Sequence, residues 1–270
     1  METSLIKKWL IVLLVLINAY IWHLIGEYYF FKSKIVFLNV YEGDSSLIIN
    51  RAGNFLIDAG KKNYLIKPLS SVLPFFDKTI DVVFISHADL DHFEGLNYIL
   101  DNYKVRLMVL SDFNNNTESY QKLLKKIADK NIQIAIGKTD LKVNALDLKI
   151  KMIYPALSNW SLTKTNEKSQ ILLVNTLQKD WLFTGDITSK ILNKMVADWD
   201  IKDIDVLKVP HHGGKNTIDD QILNKINPKQ AIISVGENYY GHPNIDIINL
   251  LDRWQVEILR TDLLGNITIK

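Results

Sequence analysis

Residues 80–96 read IDVVFISHADLDHFEGL, and the chemistry of the chain is concentrated there. A run of β-branched and apolar residues stops at Ser86, then His87, Asp89, Asp91 and His92 follow, with Glu94 close behind. Two imidazoles and two carboxylates released together at the end of a buried strand make a site for one or two divalent cations, since imidazole suits Zn and carboxylate suits Mg or Mn. Capping of the next helix through Asp91 is the plainer use of such a turn, but a cap needs one such residue rather than four. Three later apolar runs end in the same way. Residues 181–184 deliver Gly185-Asp186, residues 204–209 deliver Pro210-His211-His212-Gly213, and residues 231–235 lead through Gly236 and Gly241 to His242. Glycine at 185 lets the backbone turn so that the Asp186 carboxylate points into a cleft. Adjacent histidines in an extended chain point to opposite faces, so one of His211 and His212 is expected to bind metal and the other to meet substrate or support a ligand from behind. The spacing leaves either order open. The expected division gives His211 to the metal and leaves His212, protonated, to act on the transition state or leaving group. Paired cations on these ligands, Zn or Mn, would make an activated water available near neutral pH, which specifies hydrolysis more firmly than it specifies the bond.

The elements that must position these groups are legible as alternation. Strands are expected at 35–40, 47–50, 55–58, 80–85, 105–110, 147–153, 171–176, 181–184, 204–209, 230–235, 257–259 and 267–269. Helices are expected at 64–73, 93–102, 119–130, 188–197, 218–226 and 245–253. No Gly/Ser/Pro-rich linker or repeat interrupts residues 34–270, which read as one α/β domain. A net charge of +2 counts against strong nonspecific binding to polyanions, and the lack of cysteine excludes thiolate ligands and disulfides. Residues 1–33 are different. Trp9 to Gly26 is an uncharged apolar run, long enough to cross a bilayer, with Trp9, Tyr20, Trp22, Tyr28 and Tyr29 near its ends as interfacial residues. A cleaved signal peptide is the rival, but no small-x-small cleavage site follows. An uncleaved anchor with the catalytic domain outside the cytoplasm is expected.

The His-x-Asp-x-Asp-His pattern at 87–92 resembles the first metal motif of the metallo-β-lactamase fold, in the variant where Asp replaces the usual second His. LNVYEGDSS at 38–46, LIDAG at 56–60, FTGD at 183–186, LKVPHHG at 207–213, SVGENYYGHP at 234–243 and the tail at 260–265 are similar to the ComEC/Rec2 DNA-uptake subfamily, in family order. The resemblance implies an αββα sandwich in which Asp186 bridges two metals. It also implies a departure: no histidine lies between His92 and His211, and Asn166 and Ser169 stand where that subfamily has Asn-x-x-Ser, as substrate-binding residues. The resulting ligand accounting gives one site His87, Asp89, Asp186 and one of His211 or His212, and the other Asp91, His92, Asp186 and His242. Asp44 and Asp58 are expected either to orient metal-bound histidines from behind or simply to serve turns. Asn238, Tyr239 and Tyr240 are candidates for the pocket mouth.

The functional expectation is a membrane-anchored metal-dependent phosphodiesterase, a nuclease acting on DNA. Phosphocholine esterases of teichoic acids share the motif variant and give the alternative, and a non-catalytic regulatory protein is the third possibility. The multi-span channel and OB-like domain of the resembled subfamily have no counterpart in these residues, so any uptake channel is expected to be a separate chain.

Overall fold

The computed structural model describes residues 2–110, 115–155 and 164–270, excepting the side chains of 2–5, 24 and 27–30, so the expected interfacial pair Tyr28-Tyr29 lies outside it. A helix over Glu2–Phe30 comes first. Its stretch Ile6–His23 is long and apolar enough to cross a bilayer and buries nothing against the other described residues, a property shared by membrane spans and signal sequences.

Fourteen strands come after it among the described residues. They are β1 (Lys34–Phe37), β2 (Ser46–Asn50), β3 (Gly53–Ile57), β4 (Thr79–Ile85), β5 (Lys104–Leu110), β6 (Gln133–Ile136), β7 (Lys142–Ala145), β8 (Leu148–Tyr154), β9 (Ile171–Asn175), β10 (Asp180–Phe183), β11 (Val206–Lys208), β12 (Gln230–Ile233), β13 (Glu257–Arg260) and β14 (Ile267–Ile269). They form two seven-stranded sheets, ordered β14-β1-β2-β3-β4-β5-β6 and β13-β12-β11-β10-β9-β8-β7. The last strand returns to the first sheet, pairing Ile35 with Ile269 and Phe37 with Ile267.

Side-chain alternation explains why the central strands read as unbroken apolar runs, for both faces of each sheet are covered. In β4, Val82 and Phe84 point between the sheets, and Val83 and Ile85 point to the helices. In β10, Trp181 and Phe183 fill the space between the sheets beside Phe37, and Leu182 faces the other helical layer. Three apolar layers result, and the expected αββα sandwich is what forms.

Strand direction decides where the chemistry collects. β3, β4, β5 and β6 are parallel, as are β10, β11, β12 and β13, so each group presents its C-terminal ends along one edge. Local differences from the expected elements have simple causes. β6 and β7 are half-exposed and interrupted by polar residues, so their periodicity is faint. The helix expected at 93–102 is two pieces, Leu90–Phe93 and Leu96–Asn102, because the chain turns at Gly95 to donate its N–H to the Gly60 carbonyl. The helix expected at 64–73 is a 3-10 turn, Lys62–Leu65, and a short α-helix, Ile66–Ser70.

Candidate metal centre

Five segments meet at the edge formed by the strand ends. β3 runs into Asp58, β4 into Ser86-His87, β10 into Asp186, β11 into His211-His212, and the loop after β12 carries His242. Gly185 turns the chain at φ +51°, and a Cβ there would lie 2.8 Å from that of Ser169, so glycine is required to bring Asp186 inward.

One oxygen organises the cluster. Asp186 Oδ2 lies 3.4 Å from His92 Nε2, 3.6 Å from His212 Nε2, 3.9 Å from His211 Nε2 and 4.0 Å from His87 Nε2. Asp91 Oδ2 is 3.3 Å from His212 Nε2 and 3.9 Å from His92 Nε2, and Asp89 Oδ2 is 3.4 Å from His87 Nε2. Most of these separations are long for hydrogen bonds. They suit ligands sharing a cation, because two atoms each ~2.0–2.1 Å from one tetrahedral ion stand about 3.3 Å apart. The Nε2 atoms of His87, His92 and His212 and Oδ1 of Asp186 are buried without a hydrogen-bond partner among the described residues. Orphaned donor sets of this kind are costly unless something binds them.

Each imidazole is held from behind at its other nitrogen. Asp58 Oδ2 is 2.9 Å from His92 Nδ1, and Asp58 also accepts Ser86 N–H and Oγ–H, each at 2.7 Å. Ser86 Oγ is 3.0 Å from His87 Nδ1. His212 Nδ1 lies 3.0 Å from the Ser234 carbonyl oxygen and 3.3 Å from Asp44 Oδ1, and Lys208 Nζ binds Asp44 Oδ2 at 2.6 Å. A proton fixed on Nδ1 leaves the Nε2 lone pair to face the centre. Without a metal, burial opposes charge on these groups but mutual attraction prevails. Burial alone would lower His212, yet Asp186 and Asp44 raise it to about 10. His92 is likewise pushed up, with burial outweighed by Asp186 and Asp58. Asp186 and Asp91 are held below the usual carboxylate range, because facing imidazoles outweigh burial. A cation that binds must therefore displace protons from His92 and His212.

The expected ligands are all brought to this edge, but not in the expected grouping. His212 lies beside Asp91 and His92, where the accounting implied by the resemblance puts His242. His212 is also the inward histidine of the pair, and His211 the half-exposed one. Neither is extended: both are left-handed, with φ +50° and +53°, and a tight turn replaces the alternation assumed for a strand. His242 stands farther out, its ring centroid 5.3 Å from that of His211 and 6.3 Å from that of His212. Burial and the neighbouring His211 and His212 lower its pKa, so it stays neutral. Asn166 lines the cavity over the cluster, but Ser169 is buried below it, its Oγ accepting the Asp186 N–H at 3.1 Å. Asp44 and Asp58 both stand behind histidines, and Glu94 does not line the cavity. Lys208 escapes a reading by motif, although a lysine inside the apolar run at 204–209 is itself a signal that a buried partner is needed.

The cavity is about 510 Å³, walled by Glu42, Lys61, Asn115, Asn238 and Tyr240 among others. Tyr239 lies outside it, fully exposed. Gly43, next to the wall residue Glu42, has φ +119°, and a Cβ there would meet the Asp91 carbonyl oxygen at 2.2 Å. Gly43→Ala is therefore expected to lower unfolding stability by about 2 kcal/mol or more, read from a urea midpoint. An unchanged midpoint would show that the two loops do not constrain each other.

Fold and site together define a metallo-β-lactamase-fold protein, and residues 38–118 match the metallo-beta-lactamase superfamily profile. The metallo-beta-lactamase fold protein YhfI of Bacillus subtilis superposes with a TM-score of 0.58 at 11% identity, over 88% of this chain and 99% of that one. The chain is more specifically a distant relative of the competence proteins. It is 26% identical to ComE operon protein 3 of Bacillus subtilis, over 87% of this chain and 33% of the relative. It is 25% identical to Recombination protein 2 of Haemophilus influenzae, over 86% of this chain and 28% of that protein. The chain spans about a third of the length of these curated relatives.

Proposed function

We propose that the chain is a membrane-anchored, metal-dependent phosphodiesterase that cleaves DNA. The observation that carries the metal-dependent part is the set of buried, unpartnered imidazole nitrogens around one Asp186 oxygen, on the floor of a cavity large enough for a nucleotide. His87, Asp89 and Asp186 would hold one cation, and Asp91, His92, His212 and Asp186 the second. Bound there, such cations supply Lewis acidity toward a phosphate oxygen and lower the pKa of water. The protein's own groups complete the site. His211, half-exposed in the cavity wall, is placed to give a proton to a leaving oxygen. Neutral His242 and Asn166 offer hydrogen bonds to a phosphodiester, and the exposed Tyr240 ring beside His242 gives a face on which a base can stack. DNA is favoured among phosphodiesters because the chain is related to the competence proteins and one relative is named for recombination.

The test is incubation of the detergent-purified chain with single- and double-stranded DNA under Mn or Zn, beside Asp91→Ala and a phosphocholine ester. Metal-dependent DNA cleavage is expected, lost by at least about 1,000-fold in Asp91→Ala. Release of phosphocholine by a metal-loaded chain that leaves DNA intact would replace DNA as the substrate.

A further inference from the structure

The edge of the sandwich opposite the metal centre carries apolar side chains that the fold does not bury. Phe75 is 85% exposed, Phe76 74%, Leu146 62% and Leu177 84%. They come from three separate turns, and strand direction puts all three on one edge. β1 is antiparallel to β2, β2 to β3, and β3 is parallel to β4, so β1 and β4 begin at the same end. Phe75 and Phe76 sit in the turn that enters β4, their rings packed edge to face with centroids 5.4 Å apart. The other two turns join this end through hydrogen bonds. Ser33, just ahead of β1, donates to Asp147 at 2.8 Å, and Asn50 donates to both Asp147 and Ser33. That fixes the turn between β7 and β8, with Leu146 at its tip, against the start of β1. The pairing of Lys149 with Asn175 then sets the turn between β9 and β10, which carries Leu177, beside it.

This is also the edge where the apolar helix Glu2–Phe30 joins the sandwich, three residues before β1. Two acids of this edge are hydrogen-bonded within it, Asp147 to Ser33 and Asn50 and Asp77 to Asn54 at 2.9 Å, and Asp203, ahead of β11, is exposed. Phe75, Phe76, Leu146 and Leu177 protrude among polar neighbours such as Lys78 and Gln178, and apolar tips in register with a membrane-crossing segment are the means by which a domain sits on a lipid surface.

We infer that Phe75, Phe76, Leu146 and Leu177 form a second membrane contact, dipping into the lipid interface beside the N-terminal helix. The inference rests on the reading of that helix as a membrane anchor. It fixes the posture of the domain, with the strands standing on the membrane and the metal centre facing away. β4 has seven residues at ~3.3 Å each, so the centre stands about 23 Å beyond the lipid-facing edge.

The chain contains no cysteine, so single cysteines can be introduced for labelling into the full protein. Spin labels on F75C, F76C, L146C, L177C, L13C and Y239C would be compared in phosphatidylcholine vesicles by their accessibility to oxygen and to a water-soluble nickel chelate. The four tips are expected to shift toward the oxygen-rich ratio of Leu13, and Tyr239 to remain nickel-accessible. Tips matching Tyr239 while Leu13 reads as lipid would overturn the second contact and leave the anchor in place. A Leu13 label that itself reads as water would overturn both.

Discussion

Asparagine at position 186 is expected to strip the centre of metal and reduce cleavage by about 10,000-fold or more. The reason is the position of one atom. Asp186 Oδ2 faces the Nε2 atoms of His87, His92, His211 and His212 within 4.0 Å, and Oδ1 is buried without a partner among the described residues. In the proposed arrangement this carboxylate belongs to both cations, so the substitution weakens both at once. An amide also removes the charge that raises His92 and His212, and their protons would come off more readily in the metal-free chain. The measurement is metal content of the purified Asp186→Asn chain, together with imidazole titration by NMR in chelator. Two metals retained with normal cleavage would exclude a shared role for Asp186.

Methionine in place of Lys208 is expected to cost about 3–5 kcal/mol, because it takes from the buried Asp44 carboxylate its closest cation and leaves it only His212. Lys208 is buried, its Nζ 2.6 Å from Asp44 Oδ2 and 3.0 Å from the Val209 carbonyl. The acid limb of stability identifies the mechanism. Burial alone would raise Asp44, but Lys208 and His212 outweigh it and hold it at about 2, below its ordinary 3.8. A depressed carboxylate contributes stability that is present above pH ~4 and lost as pH falls toward 2. In Lys208→Met, burial instead favours the protonated acid. The stability gap between the two proteins in chelator should therefore narrow as pH falls through that window. A gap independent of pH would assign the loss to packing of the lysine stem. Because Asp44 stands behind His212, weaker metal binding by the variant is expected as well, read by calorimetric titration.

The residues at 87–92 and the strand ends at 186, 211 and 242 are visible in the sequence because a buried strand is an apolar run and the ligands stand just past its end. The grouping of those ligands is not visible. It depends on two consecutive left-handed residues at His211 and His212, a conformation that local propensity disfavours and that only the packed loops impose. Ser169 shows the same limit: the resemblance names it as a substrate contact, and only the fold shows its hydroxyl under the Asp186 backbone. β6 and β7 escape notice because edge strands with exposed, mixed side chains carry little periodicity. The αββα architecture does not depend on these details, since it rests on the long apolar strands at the centre of each sheet.

The centre draws His87, Asp89, Asp91 and His92 from one sheet and Asp186 and His212 from the other. A cation held between them would act as a rivet across the seam of the sandwich, and neither half keeps a full ligand set if the other unfolds. Metal supply would then govern the protein's lifetime as well as its turnover: chains starved of metal open more often, by the same mass action that favours the loaded fold.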